Sequence, residues 1–201
     1  MDQYHHKDLR NSLIEKGIEL VHMEGITSFS LRKTAAACKV SHAAPYAHFQ
    51  NKEELLEAMQ EYITEQFAQT LEVCLHKHAK DPDVMVPMGK AYLSFFLQHP
   101  HYFSFLYHQS HIVIDISQEA DHEHNYRPFE LYRTTVLALM DAYDYSKEKQ
   151  NDVVIAMWSF VHGITALATM NHVKSDINWE SKIVEYMHLF SCSFMKQEDT
   201  L

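Results

Sequence analysis

Apolar residues recur along this 201-residue chain at the spacing of helix faces, with no sustained alternation of the strand kind. Leu13, Ile14, Gly17, Ile18 and Val21 make one stripe of a first helix, and Gly25 can close it in the left-handed conformation. Ser30 can cap a second helix, on which Leu31, Thr34, Ala35 and Cys38 share an inward face. Ala35, Ala36 and Ala37 are small enough for another helix to cross closely. Ser41 offers a further cap for a short segment, His42–His48, with Pro45 near its first turn, where a missing N–H costs little. Asn51 then caps a long helix, Lys52–His76. Pro82–Pro87 marks a boundary, Met88–Gln98 reads as a helix stopped before Pro100, and His101–His108 as a short aromatic one. Gln109–Asn125 has the polarity of a loop. Pro128–Tyr143, an apolar run that follows Ser146 and reaches Met170, and Trp179–Met195 complete about nine helices. With 4 glycines and 5 prolines the chain is expected to be all-α.

Two short helices joined by a tight turn build a helix-turn-helix, whose second helix is narrow enough for a DNA major groove. The order of parts around it resembles the TetR family of bacterial transcriptional regulators. A first helix ends at Glu24-Gly25-Ile26; Ser30-Leu31-Arg32 and the alanine run follow. Val40-Ser41, Tyr46-Ala47-His48-Phe49 and Asn51-Lys52-Glu53-Glu54-Leu55 complete the set, which covers the first quarter to third of the chain. Farther on, Trp158-Ser159-Phe160-Val161-His162-Gly163 resembles a Trp–His–Gly signature of one subgroup of TetR-like C-terminal domains. One position departs from the pattern. The family usually has glycine after the second helix, where this chain has Lys39. Either Lys39 adopts the left-handed conformation at about 1 kcal/mol, or the helix runs slightly longer with Lys39 solvated.

The resemblance implies a three-helix DNA-binding domain over residues 1–52 and a helical ligand-binding and dimerisation domain over 53–201. In the head, Ser41, His42, Ala43 and Ala44 are expected to face the groove first. Small alanines can approach thymine methyls, and His42 can bond a base edge or a phosphate. Tyr46 and His48 resemble family positions that touch the DNA backbone. Lys52 offers a cation beside the amides of a helix start, and Thr27, Ser28, Arg32 and Lys33 can add flanking phosphate contacts. Phe49 reads as core.

Charge looks unfavourable for DNA until it is divided. The formal net charge is −10, yet residues 1–50 hold six basic side chains against five acidic, so the excess of negative charge lies in the rest of the chain. A near-neutral head on an acidic body orients a protein head-first on DNA and makes binding salt-sensitive. Cys38, Cys74 and Cys192 are odd in number and never in CxxC spacing, as expected of reduced thiols in a cytoplasm. The N-terminal MDQYHHKDLR lacks the apolar core of a signal peptide. Val153–Met170 is long enough to raise the membrane question. It carries Ser159, His162, Gly163, Thr165 and Thr169, and reads as a helix buried in a protein or dimer, with no membrane role.

For the body, the resemblance implies a two-fold dimer built by the last two helices, offering two heads to a palindromic operator. Ile155, Trp158, Val161 and Leu167 would supply one helix's share, with Ile183, Tyr186, Met187, Phe190 and Phe194 on the other. It also implies a small-molecule site whose occupation shifts the heads and releases DNA. Phe95, Phe96, Phe103, Leu106 and Tyr107 are candidate lining residues. Met140, Met157, Phe160, His162 and Met170 are the others, and an apolar or aromatic compound suits them. The chain is thus expected to be a homodimeric repressor relieved by a small molecule, with no cofactor. Sixteen histidines leave one alternative, a metal-sensing regulator or metal-binding helical protein. His108, His111 and the run Asp121-His122-Glu123-His124 have spacings that can hold zinc or nickel. There is no HExxH, no nucleophile–base constellation and no phosphate-cradling glycine loop, so an enzyme is not expected.

Overall fold

The computed structural model describes residues 2–117, 123–141 and 145–195, with side chains described between residues 9 and 189. Among them are eight α-helices and no strand. They are α1 (Asp2–Glu24), α2 (Leu31–Ala37), α3 (Lys52–Lys77), α4 (Met85–Gln98), α5 (Pro100–Ser104), α6 (Arg127–Asp141), α7 (Lys147–Thr169) and α8 (Trp179–Met195). A 3-10 turn (Ala44–Ala47) precedes α3, and a π turn (Phe105–Gln109) continues α5. The contacts divide the chain into two units. The first comprises the chain up to Glu65 together with His101–Ile112, and the second Gln66–Pro100 together with the chain from Val113 onward.

In the first unit, the apolar stripe of α1 is the centre of the core. Leu13, Ile14, Ile18 and Val21 are fully buried, alongside Phe29, Leu31, Ala35, Phe49, Leu55, Met59 and Ile63. Gly17 permits the closest approach: a Cβ there would stand 2.9 Å from the Met59 sulfur. Gly25 closes α1 at φ +79°, donating its N–H to the Val21 carbonyl at 2.9 Å. Ser30 caps α2, its hydroxyl accepting from the Lys33 amide at 3.3 Å. At the other end Lys39 takes the left-handed conformation, φ +56°. Val40 N–H reaches Ala35 O at 3.0 Å and Lys39 N–H reaches Ala36 O at 3.1 Å, the paired bonds of a Schellman closure. Phe103, Phe105 and Leu106 are buried residues of this unit, and the π turn that holds two of them packs against α1.

The short helix expected over His42–His48 is instead a 3-10 turn of four residues. The Ser41 side chain makes no capping bond to it, because the turn begins at Ala44 behind Ala43. Pro45 stands in the first half of the turn, where amides close back three residues, as in Tyr46 N–H to Ala43 O at 3.1 Å and His48 N–H to Pro45 O at 2.9 Å. Asn51 does cap α3: its Oδ1 accepts from the Glu54 amide at 2.8 Å, and Glu54 reaches back to the Gln50 amide at 2.6 Å.

In the second unit α4 is the central helix, packed on α7 and α8, with α6 also against α7. Phe67 from α3 sits among Tyr92, Phe95 and Phe96 with ring centroids 4.8–5.2 Å apart. Trp158 from α7 meets Phe129 edge-to-face at 5.1 Å and Tyr92 at 5.4 Å. α4 begins at Met85, ahead of the Met88 expected, since Pro87 falls in a first turn where proline is tolerated. α6 is described to Asp141; Tyr143 lies outside the described residues. α7 is long and apolar enough to cross a membrane by length and composition, but its buried residues Val153, Val154, Met157, Val161 and Thr165 face other helices of the same unit.

Several residues expected at a dimer contact are buried within the chain itself. Val161, Ile183 and Met187 are 6%, 0% and 2% exposed, so a second copy cannot reach them. Ile155, Trp158 and Tyr186 are half-buried and Leu167 is 49% exposed, while Phe190 and Phe194 lie outside the described side chains.

Candidate functional site

Six of the ten nucleic-acid candidates lie between Ser41 and His48 in the first unit, and the other four lie on neighbouring segments of the chain. Pro45 and Phe49 turn inward and are buried, and this anchors the 3-10 turn between them. Arg10 lies 5.3 Å over the Phe49 ring and covers it from α1. With those two residues inside, Ser41, His42 and Ala43 are exposed and Tyr46 stands 59% exposed. Ala44 and His48 are half-buried, His48 beside the Phe49 ring at 6.3 Å. Thr27, Arg32 and Lys33 are exposed, and the Lys33 ammonium is paired with Glu24.

Lys52 makes a contact within the chain that local spacing does not reveal. Its Nζ donates to the Ile26 carbonyl at 2.6 Å and lies 5.9 Å over the Phe29 ring. The bond ties the start of α3 to the loop after α1. An ammonium has three donors, so this one leaves two for an outside acceptor.

The second unit holds a cavity of about 20 Å³, room for roughly one water. Its walls are Leu71 of α3, Met85, Met88, Gly89 and Tyr92 of α4, Tyr132 of α6, Met157, Trp158 and Val161 of α7, and Met187 of α8. No lining side chain is charged. Both tyrosine hydroxyls are engaged: Tyr92 with His162 Nδ1 at 3.0 Å, and Tyr132 donating to the Val154 carbonyl at 2.7 Å. Burial pushes the Tyr132 phenol well above the usual tyrosine value, so it stays neutral.

Of the ten residues expected to line a ligand site, Met157 lies on this wall and His162 touches it through Tyr92. Phe95 and Phe96 are buried alongside, against Phe67. Met140 and Phe160 are half-buried, and Met170 is 47% exposed beyond the end of α7. Phe103, Leu106 and Tyr107 belong to the first unit. The other wall residues escaped sequence reasoning. A signal existed in Gly89, a lone glycine within an apolar helix, which marks a close approach. An open groove of about 400 Å³ also borders the second unit, among Leu75, His78, Asp81, Val84 and Thr134.

Among the described residues no group of three or more His, Cys, Asp or Glu converges as a metal ion would require. Asp121 and His122 lie outside the described residues.

Comparison with known proteins agrees with this layout. Residues 13–59 match the family model described as bacterial regulatory proteins, tetR family, and residues 85–187 the one described as tetracyclin repressor-like, C-terminal domain. Over 64 residues, 32% of the chain, the sequence is 34% identical to the HTH-type nicotine-responsive transcriptional repressor HdnoR of Paenarthrobacter nicotinovorans. That alignment spans a third of the relative's length. A protein with unknown function from Rhodococcus sp. RHA1 superposes with TM-score 0.73 at 22% identity, covering 92% of this chain and 94% of that one. A TetR from Acinetobacter baumannii AYE in complex with minocycline gives TM-score 0.59 at 18% identity over 92% and 96%. Identities this low speak to fold alone.

Proposed function

This chain belongs to the TetR family of bacterial transcriptional regulators, and from that premise we propose that it is a repressor that leaves a palindromic operator when a small apolar or aromatic molecule binds its body. It is a DNA-binding regulator, not an enzyme. The observation that carries the reading is the exposure pattern of the turn before α3, in which Pro45 and Phe49 are buried while His42, Ala43 and Tyr46 face outward.

In this reading Ser41, His42, Ala43 and Ala44 meet bases; Tyr46, His48 and Lys52 meet the backbone, with Thr27, Arg32 and Lys33 at the flanks. Two chains pair through α7 and α8 and present two heads. α3 runs as one helix from the first unit into the second, and Leu71 on it is a wall of the cavity. A molecule entering there therefore acts on the same helix that starts at Lys52. HdnoR is named as a nicotine-responsive repressor, and a minocycline complex exists for another protein of this fold; both support a ligand-relieved mode, in a cytoplasmic setting.

The test is fluorescence anisotropy with DNA from upstream of the protein's own gene, across a salt series. Tight binding to one palindromic segment, two chains per site and falling steeply with salt, is the expected result. Binding no better than to random DNA, by a proven dimer at low salt, would sink the proposal.

A further inference from the structure

We propose that Met187 is a displaceable plug, and that the molecule sensed is uncharged, because it must take the place of the Met187 thioether against Gly89. This rests on the ligand-relieved reading and specifies how its site opens and what it rejects. Gly89 lacks a side chain where α4 meets α8. A Cβ there would stand 3.0 Å from the Met187 sulfur and 3.2 Å from its Cγ and Cε, so Met187 fills the niche that the glycine leaves. The plug is 2% exposed. One turn earlier on α8, Ile183 is wholly buried, and it and Met187 are the buried side chains of that helix among the described residues.

At about 20 Å³ the cavity beside this niche is too small for an organic molecule as it stands. Its walls are of the kind that yields. Met85, Met88, Met157 and Met187 contribute four unbranched thioether chains from three helices, each with three rotatable bonds and a polarizable sulfur. The aromatic faces of Tyr92, Tyr132 and Trp158 would remain as flat walls once the methionines swing aside. Both tyrosine hydroxyls already have partners, and no wall residue is charged. A charged group entering here would lose its hydration with no opposite charge on the wall to offset the loss. Expulsion of Met187 would also remove one of the two buried side chains of α8 among the described residues.

The test uses the full chain and three probes of one size: naphthalene, 2-naphthoate and 2-naphthylmethylammonium. Binding is read by calorimetry, and the position of Met187 by NMR of protein labelled at the methionine methyls. Naphthalene should bind saturably at one per chain, with the Met187 methyl moving most, and the two ions should bind about 100-fold more weakly. Met187→Ala, which has no plug to expel, should bind naphthalene about 3- to 10-fold more tightly. Gly89→Ala, which narrows the niche, should bind it more weakly. If Met187→Ala does not fold, Gly89→Ala and the methyl spectrum carry the test. Equal binding of either ion overturns the proposal, and so does naphthalene affinity indifferent to the variants. Release of DNA by an ion alone would keep the ligand-relieved reading and overturn this one. Naphthalene binding with the expected variant pattern, in a protein that ignores DNA, would keep the plug and defeat the regulator reading.

Discussion

Lys39 holds a backbone conformation that its own Cβ opposes, and the double hydrogen bond behind it is what keeps it there. Lys39→Gly should relieve the steric cost while adding freedom to the unfolded chain, for a net gain of about 0.5 kcal/mol in urea denaturation. Lys52 works the other way, since it is both a tie to Ile26 and a proposed phosphate contact. Lys52→Ala is expected to lower stability by about 1 kcal/mol and to weaken DNA binding with a shallower salt slope. Tyr46→Ala should weaken DNA binding alone, because its ring supports nothing inside; sedimentation should show both variants still dimeric. The cysteines make a chemical prediction. Burial pushes the Cys38 and Cys74 thiols up, so at pH 8 both should alkylate more slowly with iodoacetamide than in the urea-unfolded chain, as read by peptide mass mapping. At Lys39 the family pattern and the helix period left two conformations open, and the chain takes the left-handed one. The Lys52 bond could not be read from the sequence, since its partner lies 26 positions away and no local spacing encodes it.

At the scale of elements, the long periodic segments and the short capped α2 were legible, and the segment around Pro45 was not. α8 spans Trp179–Met195 as expected, and Ser146 caps α7 by accepting from the Lys149 amide. Helices of this length integrate many weak preferences, so one misread residue does not move them. The segment around Pro45 has too few residues to average over, and it forms a 3-10 turn where a helix was expected. Pro87 misled in the opposite sense, reading as a boundary where it sits in a first turn. The cap at Asn51 is the element-scale feature most open to test. Asn51→Ala leaves the Glu54 amide without its acceptor and should cost about 1 kcal/mol in thermal or urea unfolding.

At the scale of the whole molecule, the proposed dimer needs apolar surface that one chain leaves uncovered. Leu167 is 49% exposed on α7, whereas Val161, Ile183 and Met187 are already used within the chain. Leu167→Glu should therefore leave the melting of an isolated chain nearly unchanged while shifting sedimentation toward the monomer. The wall of the cavity was illegible from sequence for the same reason that the Lys52 bond was. It is assembled from five helices, and only their packing decides which methionines converge. The first unit carries a consequence of its own, since it borrows His101–Ile112 from far along the chain, with Phe103 and Leu106 among its buried residues. A chimaera that exchanges heads between two such regulators, spliced within α3, would transplant a head missing part of its own core. Grafting only the surface residues around Tyr46 would change the DNA preference and leave that core whole.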